Sequence, residues 1–317
     1  MNLATAHGSK GVDPRVWTEL LSLCPGRVRL GVEMKHLTTL RVGGPADAVV
    51  EPADPQEVAR ILDWCRTRGI PWMVVGRGSN LLVRDGGIRG VVLRLGKPMG
   101  ELKVLERGGP VTVVAQAGCS VRRLVREASK RGLSGVAFLT GIPGHLGGAL
   151  AMNAGTGQGT MDGIVQRVRW VDPQGQLVTK AREDLSFGYR SLAMPEGSVI
   201  VEAVLALERA GVDEVRQEIR QRMAQRMATQ PLGRPSAGSI FKNPPGEHAG
   251  RLIERAGLKG LAVGEAVVSE RHANFILNLG RAKASHVLAL MELIQRRVEE
   301  QSGIRLEPEV RVVGEDE

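Results

Sequence analysis

Between Thr140 and Gly155 the chain carries almost no side-chain bulk. The run Thr140-Gly141-Ile142-Pro143-Gly144-His145-Leu146-Gly147-Gly148-Ala149, followed by Met152-Asn153-Ala154-Gly155, brings five glycines and three alanines into one stretch. Glycine gives up the most conformational freedom on folding, so such a segment is a poor helix or strand by propensity. It reads as bare backbone approached closely, either by another part of the protein in a crowded packing junction or by a flat ligand that takes its amide hydrogens. A second cluster, Gly76-Arg77-Gly78-Ser79-Asn80-Leu81-Leu82, follows the apolar run Trp72-Met73-Val74-Val75. Successive amides in a glycine turn form a nest for phosphate oxygens, and Ser79 and Asn80 add side-chain donors. Alone, this cluster is equally an ordinary tight loop. Two close-approach loops in one chain favour one long ligand with a diphosphate. Neither loop is a dinucleotide fingerprint: Leu81 occupies the third glycine position of Gly-x-Gly-x-x-Gly, and Gly155-Thr156-Gly157-Gln158-Gly159 has the wrong spacing and no preceding strand.

Composition narrows the classes. Hydrophobic residues are 42% and charged residues 24% of the 317, an ordinary globular balance. Aromatics are only 3%, too few for a base-stacking surface. The formal net charge of +9 comes from basic residues spread along the chain, without a DNA- or RNA-binding signature. That pattern fits an acidic small substrate or a solvated surface; a basic nucleic-acid-binding protein is the rival from a different class. No apolar run reaches the ~18 to 20 residues of a membrane span, and Met1 to Lys10 has no apolar core of a secretion signal. Cys24, Cys65 and Cys119 are widely spaced with no nearby histidine, so neither a disulfide framework nor a metal site is expected. A soluble cytoplasmic protein without membrane or nucleic-acid partners is the expectation.

Periodicity places the elements. Asp13-Pro14 starts a short helix through Val16, Trp17, Leu20 and Leu21 in an N-terminal extension, with order beginning near Leu37. Asp54, Pro55 and Glu57 open a helix with Val58, Ile61, Leu62 and Cys65 on one face, ending at Gly69. Short strands follow at 72–75, 81–84, 91–95, 102–106 and 111–115, then a helix from Val121 to Arg131. The stretch 141–159 is expected to form no ordinary element. Val165 to Asp172 and Leu177 to Thr179 make a hairpin, and Val199 to Leu207 another strand. Asp213 caps a helix to about Thr229 with Val215, Ile219, Met223 and Met227 on one face. Strands at 267–269 and 273–278, a helix near 283–301 and a strand at 306–313 complete the chain.

Three further motifs are weak singly. Phe187-Gly188-Tyr189-Arg190-Ser191 contains the only tyrosine, but a Tyr-Arg pair is usually a surface feature. Pro235-Ser236-Ala237-Gly238-Ser239-Ile240-Phe241-Lys242-Asn243-Pro244 suits a polar pocket, yet Ser239 lacks a nucleophile context and also reads as a turn serine. Glu307, Glu309 and Arg311 alternate along a strand, which by default is a solvated edge with an ion pair.

Taken together the motifs say more. Thr39-Leu40-Arg41-Val42-Gly43-Gly44-Pro45-Ala46, Gly76 to Leu82, Gly141 to Gly155, Tyr189-Arg190, Gly238 to Pro244 and Glu307 to Gly314 occur in one order that closely resembles the UDP-N-acetylenolpyruvoylglucosamine reductase (UDP-N-acetylmuramate dehydrogenase) family of flavoenzymes, over about residues 31–314. The resemblance implies an α+β chain: a two-subdomain FAD-binding fold of the vanillyl-alcohol-oxidase type plus a third α+β, substrate-binding domain. Its expected divisions are an extension at 1–30, FAD-binding subdomains at 31–96 (with 306–317 returning to it) and 97–208, and a substrate domain at 209–305. It implies FAD as cofactor and NADPH as reductant, with an enolpyruvyl UDP-sugar as substrate and the chain acting as a monomer. Arg190, Ser239 and Glu309 match the family's catalytic Arg, Ser and Glu. Cofactor contacts are carried over to Arg41, Gly43, Gly76, Arg77, Gly78, Ser79, Asn80, Leu81, Thr140, Gly141, Ile142, Pro143, Gly147, Gly148, Ala149, Asn153 and Gly155, and substrate contacts to Tyr189, Arg226, Asn243 and His272. Only Ser191 to Ser198 separates the Tyr-Arg pair from the next strand, as in the family's shorter type. His145 stands where the family often has Ser, and Thr156-Gly157-Gln158 replaces a more usual Ala-Tyr-Gly. The rival within the same class is another FAD-dependent oxidoreductase with the same flavin-binding halves.

Overall fold

The computed structural model describes residues 14–106 and 109–317; Asp13, the expected cap, and Met1 to Lys10 lie outside the described residues. The first unit runs α1 (Pro14–Leu23), β1 (Val28–Glu33), β2 (Pro45–Val50), α2 (Pro55–Arg68), β3 (Trp72–Val75), β4 (Leu81–Val83) and β5 (Ile88–Arg94). Its sheet has the order β1-β2-β5-β3, with β2, β5 and β3 parallel and β1 antiparallel at the edge. The α2 signals act as read: Asp54 Oδ1 accepts from the Glu57 amide at 2.7 Å, and Gly69 closes the helix. Order does not wait for Leu37. Trp17, Leu20 and Cys24 are buried in the same apolar cluster as Val58, Ile61 and Trp64, so α1 is part of the core rather than an appendage.

The second unit holds β6 (Leu102–Leu105), β7 (Val111–Gln116), α3 (Val121–Arg131), β8 (Leu133–Ser134), α4 (Leu146–Ala151), β9 (Gly155–Thr156), β10 (Gly159–Thr160), β11 (Val165–Val171), β12 (Leu177–Ala181), β13 (Phe187–Gly188), β14 (Ser191–Leu192) and β15 (Val199–Arg209). Five strands form an antiparallel sheet in the order β12-β11-β15-β7-β6, with β8 pairing β15. One apolar cluster runs through α1, α2 and this sheet, so the first two units share a core.

Helix α4 corrects the expectation that 141–159 forms no ordinary element. Leu146, Ala149 and Leu150 give it a buried face. The Leu146 and Gly147 amides donate to the carbonyls of Cys119 and Ala117 at 2.8 and 2.9 Å. Glycine at 147 is what allows this approach, because a Cβ there would stand 2.9 Å from that of Ala117. Tertiary packing overrides propensity here.

The third unit runs α5 (Val212–Thr229), β16 (Ser236–Ser239), α6 (Ala249–Arg255), β17 (Ala262–Val263), β18 (Ala266–Val268), β19 (Phe275–Asn278), α7 (Ala284–Ser302) and β20 (Arg311–Val313). Its antiparallel sheet, β16-β19-β18-β17, packs beneath the apolar face of α7 formed by Val287, Leu290, Met291, Ile294 and Val298. Two expectations change. Gly211, not Asp213, occupies the α5 N-cap, and of the expected apolar face only Val215 is fully buried while Met227 is 58% exposed. That helix leans on α3 instead of roofing the third sheet. The closing strand is also shorter than 306–313: β20 pairs in parallel with β4, and residues 307–310 run alongside 240–242.

Besides the β20–β4 pairing, side-chain hydrogen bonds fasten this unit to the first. Asp85 caps α7 from outside, its oxygens accepting from the Ala284 and Ser285 amides at 2.7 and 2.9 Å. Asn278 Nδ2 donates to the carbonyls of Leu40 and Arg41, and the Thr39 hydroxyl donates to Ser236 O at 2.7 Å. Among the described residues, no helix is long and apolar enough to cross a membrane.

Candidate active site

Arg190 stands at the turn of the β13–β14 hairpin with φ +57°, a left-handed conformation rare for a residue with a side chain. Only two other described non-glycine residues share it, Arg41 (+58°) and Asn153 (+38°). The Arg190 turn is over-determined by its surroundings. Asn153 Nδ2 donates to Gly188 O at 3.2 Å, the Arg190 Nη1 reaches Gly155 O at 3.5 Å, and its guanidinium carbon lies 5.6 Å from the Tyr189 ring centre. Tyr189 itself is largely exposed.

Opposite the hairpin, Glu309 Oε1 lies 3.0 Å from Arg190 Nε. The contact is a charge pair rather than an aligned hydrogen bond, since the Arg190 Nε–H finds no acceptor in line. Burial pushes the Glu309 carboxyl above its ordinary range, and the Arg190 and Lys242 charges only partly offset that. Ser239 ends β16 on the neighbouring strand: Phe241 bridges Pro308, and Glu309 N donates to Ile240 O at 2.7 Å. Among the described residues, no protein group bonds the Ser239 hydroxyl. The structure therefore brings Arg190 and Glu309 into contact from distant stretches of chain and sets the Ser239 end of β16 one residue from the backbone bond to Glu309.

Arg226 of α5 supplies a second guanidinium. Its Nη1 donates to Thr140 O at 2.9 Å and its Nε to Gln230 at 3.2 Å, with no carboxylate partner among the described residues. Burial, then the nearby Arg190 charge, lowers its pKa. Two guanidiniums against one carboxylate leave the site short of negative charge, which suits an anionic ligand.

The two glycine loops meet beside this cluster. The Ser79 hydroxyl donates to Pro143 O at 2.9 Å, and Gly76 lies against the His145 ring. That ring is half-buried, with Nδ1 2.7 Å from Leu95 O and a pKa lowered mainly by burial. Among the described residues, no acceptor takes the four successive amides of Arg77, Gly78, Ser79 and Asn80. The Thr140 hydroxyl is buried without a partner among the described residues, and a Cβ on Gly148 would meet none of their atoms within 4 Å. A nest of free amides, an unpartnered hydroxyl and an open glycine face fit a bound dinucleotide diphosphate.

Several expected ligand donors turn out to serve the protein itself. Asn80 Nδ2 donates to Glu309 O at 3.0 Å and approaches Met152 Sδ, so its side chain anchors the Glu309 strand instead of adding to the nest. Asn153 spends its amide on Gly188 O and on the Asp162 amide. Gly43 and Gly155 are crowded by Val83 and by the Gly159–Thr160 backbone, and Gly78 by Leu37, which makes them packing glycines in the protein alone. Asn243 Oδ1 accepts from the Ala249 amide at the start of α6. His272 accepts from the Asn274 amide and packs edge-on to Phe275; none of its hydrogen bonds reaches Arg190, Ser239 or Glu309. Arg41 and Arg77 are exposed, Gly141 lies against Arg226, and Ile142 and Ala149 border the first core. Leu81 is buried in a small cluster with Val75 and Val83.

Sequence reasoning passed over Asp85, Asn274 and Asn278. The two asparagines did carry a signal: each is a polar residue inside the apolar run Ala273 to Asn278, and both are buried.

A shared-core pair of α+β units with a nest of amides beside an Arg–Glu pair fits an FAD-dependent oxidoreductase, and comparison with known proteins shows that class. The family model described as an FAD binding domain matches residues 46–180, and that of the UDP-N-acetylenolpyruvoylglucosamine reductase C-terminal domain matches residues 230–313. The UDP-N-acetylenolpyruvoylglucosamine reductase of Desulfosudis oleivorans is 45% identical over 310 residues, covering 95% of this chain and 98% of that protein. UDP-N-acetylenolpyruvoylglucosamine reductase 2 of Symbiobacterium thermophilum is 45% identical over 291 residues, covering 92% and 93%. The solved structure of the reductase from Thermus caldophilus superposes with a TM-score of 0.77 at 39% identity, covering 90% of this chain and 99% of that one. The chain belongs to the UDP-N-acetylenolpyruvoylglucosamine reductase family.

Proposed function

We propose that this chain reduces UDP-N-acetylglucosamine enolpyruvate to UDP-N-acetylmuramate with NADPH, using bound FAD, in the synthesis of peptidoglycan precursors. The observation that carries the reading is the run of four amides at 77–80 that no acceptor among the described residues takes, tied through Asn80 to the segment bearing Glu309. The amides of that nest, the Thr140 hydroxyl and the open face at Gly148 would hold FAD. When bound, FAD would supply hydride-transfer chemistry between NADPH and the terminal vinyl carbon of the enol ether.

The protein's own groups do the rest. As hydride arrives, negative charge builds on the adjacent carbon and spreads into the pyruvyl carboxylate. Arg190 meets that charge with a permanent cation whose turn, carbonyl contact and carboxylate partner hold it in place, so no reorganisation is needed at the moment of reaction. Ser239 gives its proton to the same carbon. A neutral hydroxyl is a weak acid towards water but adequate towards an enolate-like carbon, and its freedom from protein partners leaves it available. Glu309 orients Arg190 across the 3.0 Å contact between its Oε1 and the Arg190 Nε. Arg226 and Tyr189 border the site on the substrate's side, where the UDP diphosphate needs a cation. We take the chain to act as a monomer in the cytoplasm; light scattering of the purified protein tests the first, and fractionation tests the second.

Ser239→Ala tests the assignment. Bleaching of the flavin by NADPH survives, while turnover falls ~10²-fold or more. Equal losses in both half-reactions would remove Ser239 from its role.

A further inference from the structure

Asn274 touches none of the groups assigned above, yet it holds the segment that carries Ser239. Its side chain is buried and grips the backbone of Phe241 twice: Oδ1 accepts from the Phe241 amide at 3.0 Å, and Nδ2 donates to the Phe241 carbonyl at 2.8 Å. Its own carbonyl accepts from the Ile240 amide at 2.9 Å. Across the same segment, the Ile240 carbonyl accepts from Glu309 N at 2.7 Å, and Lys242 N donates to Glu307 O at 2.8 Å. Residues 240–242 are thus strung between Asn274 on one side and the Glu309 strand on the other.

An irregularity in the sheet explains why a side chain is needed. The β16–β19 ladder pairs Ser236 with Leu277 and Ser239 with Phe275, and its register shifts in between, where Gly238 takes φ +76°. Such a bulge re-aims the residue at its end, here Ser239, and interrupts regular pairing. Beyond the bulge the amide of Asn274, which has the donor and acceptor of a peptide group, supplies the two bonds a strand partner would have given.

We propose that Asn274 is a positioning residue for the proton transfer: by clamping Phe241 it fixes the direction of Ser239 and the spacing between Ser239 and Glu309. This rests on the reading of Ser239 as proton donor. Asn274→Asp keeps the acceptor for the Phe241 amide but sets an oxygen against the Phe241 carbonyl, and Asn274→Ala removes both bonds.

The experiment is anaerobic stopped-flow on FAD-loaded wild type and both variants. In each variant, reduction by NADPH stays within ~2-fold of wild type, while reoxidation by the enolpyruvyl UDP-sugar slows by about 10- to 100-fold, the cost of a misplaced reacting group. In a Ser239→Ala background, Asn274→Asp changes reoxidation by less than ~2-fold, because the two residues act through one step. Slowing of both half-reactions alike, or of neither, or a full further loss in the Ser239→Ala background, overturns the proposal. Collapse of the fold in both variants overturns it too, as the amide would then serve stability alone. A wild type that NADPH does not bleach, or that the enolpyruvyl sugar does not reoxidise, strikes the proposed function itself, a result distinct from any of these.

Discussion

The strained residues carry the clearest residue-scale message. Arg41, Asn153 and Arg190 are the only described non-glycine residues with left-handed backbone, and all three fall among the residues singled out for ligand or catalysis. Such conformations cost about 1–3 kcal/mol each and persist only where neighbours enforce them; here Asn278, Gly188 and Gly155 provide the enforcing contacts. Residue types were easier to read than partners. Ser79 and Asn80 read as donors from sequence, and they are donors, but their acceptors are the carbonyls of Pro143 and Glu309, which only the fold brings near. Glu309 permits a prediction with a definite sign. Because burial raises its folded-state pKa, the native chain binds this proton more tightly than the unfolded chain, and stability falls as pH rises from the ordinary carboxylate range through the raised value. Glu309→Gln removes that loss, so the melting temperature of the variant minus that of wild type, measured on flavin-free protein, is larger above the raised value than in the ordinary carboxylate range. His145 and His272, whose pKa values burial lowers, cost stability in the opposite direction below their ordinary range, and they cancel in the difference. A gap that shrinks with rising pH would contradict the Glu309 assignment.

At the scale of elements, legibility followed local chemistry. Helix α2 announces itself because its cap, its first-turn proline and its closing glycine are all within its own segment. Helix α4 does not, because what stabilises it is a pair of carbonyls, Ala117 and Cys119, in the turn after β7 and outside its own segment. The same limit hid the cap of α7, which Asp85 provides from 199 residues away. Two adjacent glycines of α4 separate packing from binding. Gly147→Ala forces its methyl against Ala117 and destabilises the flavin-free protein by about 1–3 kcal/mol. Gly148→Ala adds its methyl in open space on a helix and stabilises the flavin-free protein by about 0.5–1 kcal/mol. On that face the methyl crowds the ligand bed, so Gly148→Ala retains less FAD after purification. Thermal melts and flavin-to-protein ratios check both, and unchanged FAD retention in Gly148→Ala would move the flavin bed away from α4.

At the scale of the whole molecule, no single unit contains the site. The first supplies the amide nest, the second Arg190 and α4, and the third Ser239, with Glu309 on the chain returning to the first. The architecture was therefore readable only from the order of six spaced motifs across the chain, not from any one of them; the third unit's ties through Asp85, Asn278 and Thr39 had no such signature. One bed beside one cationic cluster also means that NADPH and the UDP-sugar alternate there. Initial rates with both varied give parallel lines, and intersecting lines would contradict alternation. The positive surplus around Arg190 and Arg226 suits two successive anionic visitors and gives the net charge of +9 a local use. The central claim is that FAD held by the glycine loops passes hydride between NADPH and the enolpyruvyl sugar at the Arg190–Ser239–Glu309 cluster. Its most direct test is visible spectroscopy of the purified protein without oxygen: NADPH bleaches the flavin band, and UDP-N-acetylglucosamine enolpyruvate then restores it stoichiometrically with formation of UDP-N-acetylmuramate. A colourless protein, or a bleached one that the enolpyruvyl sugar leaves unchanged, would contradict the account.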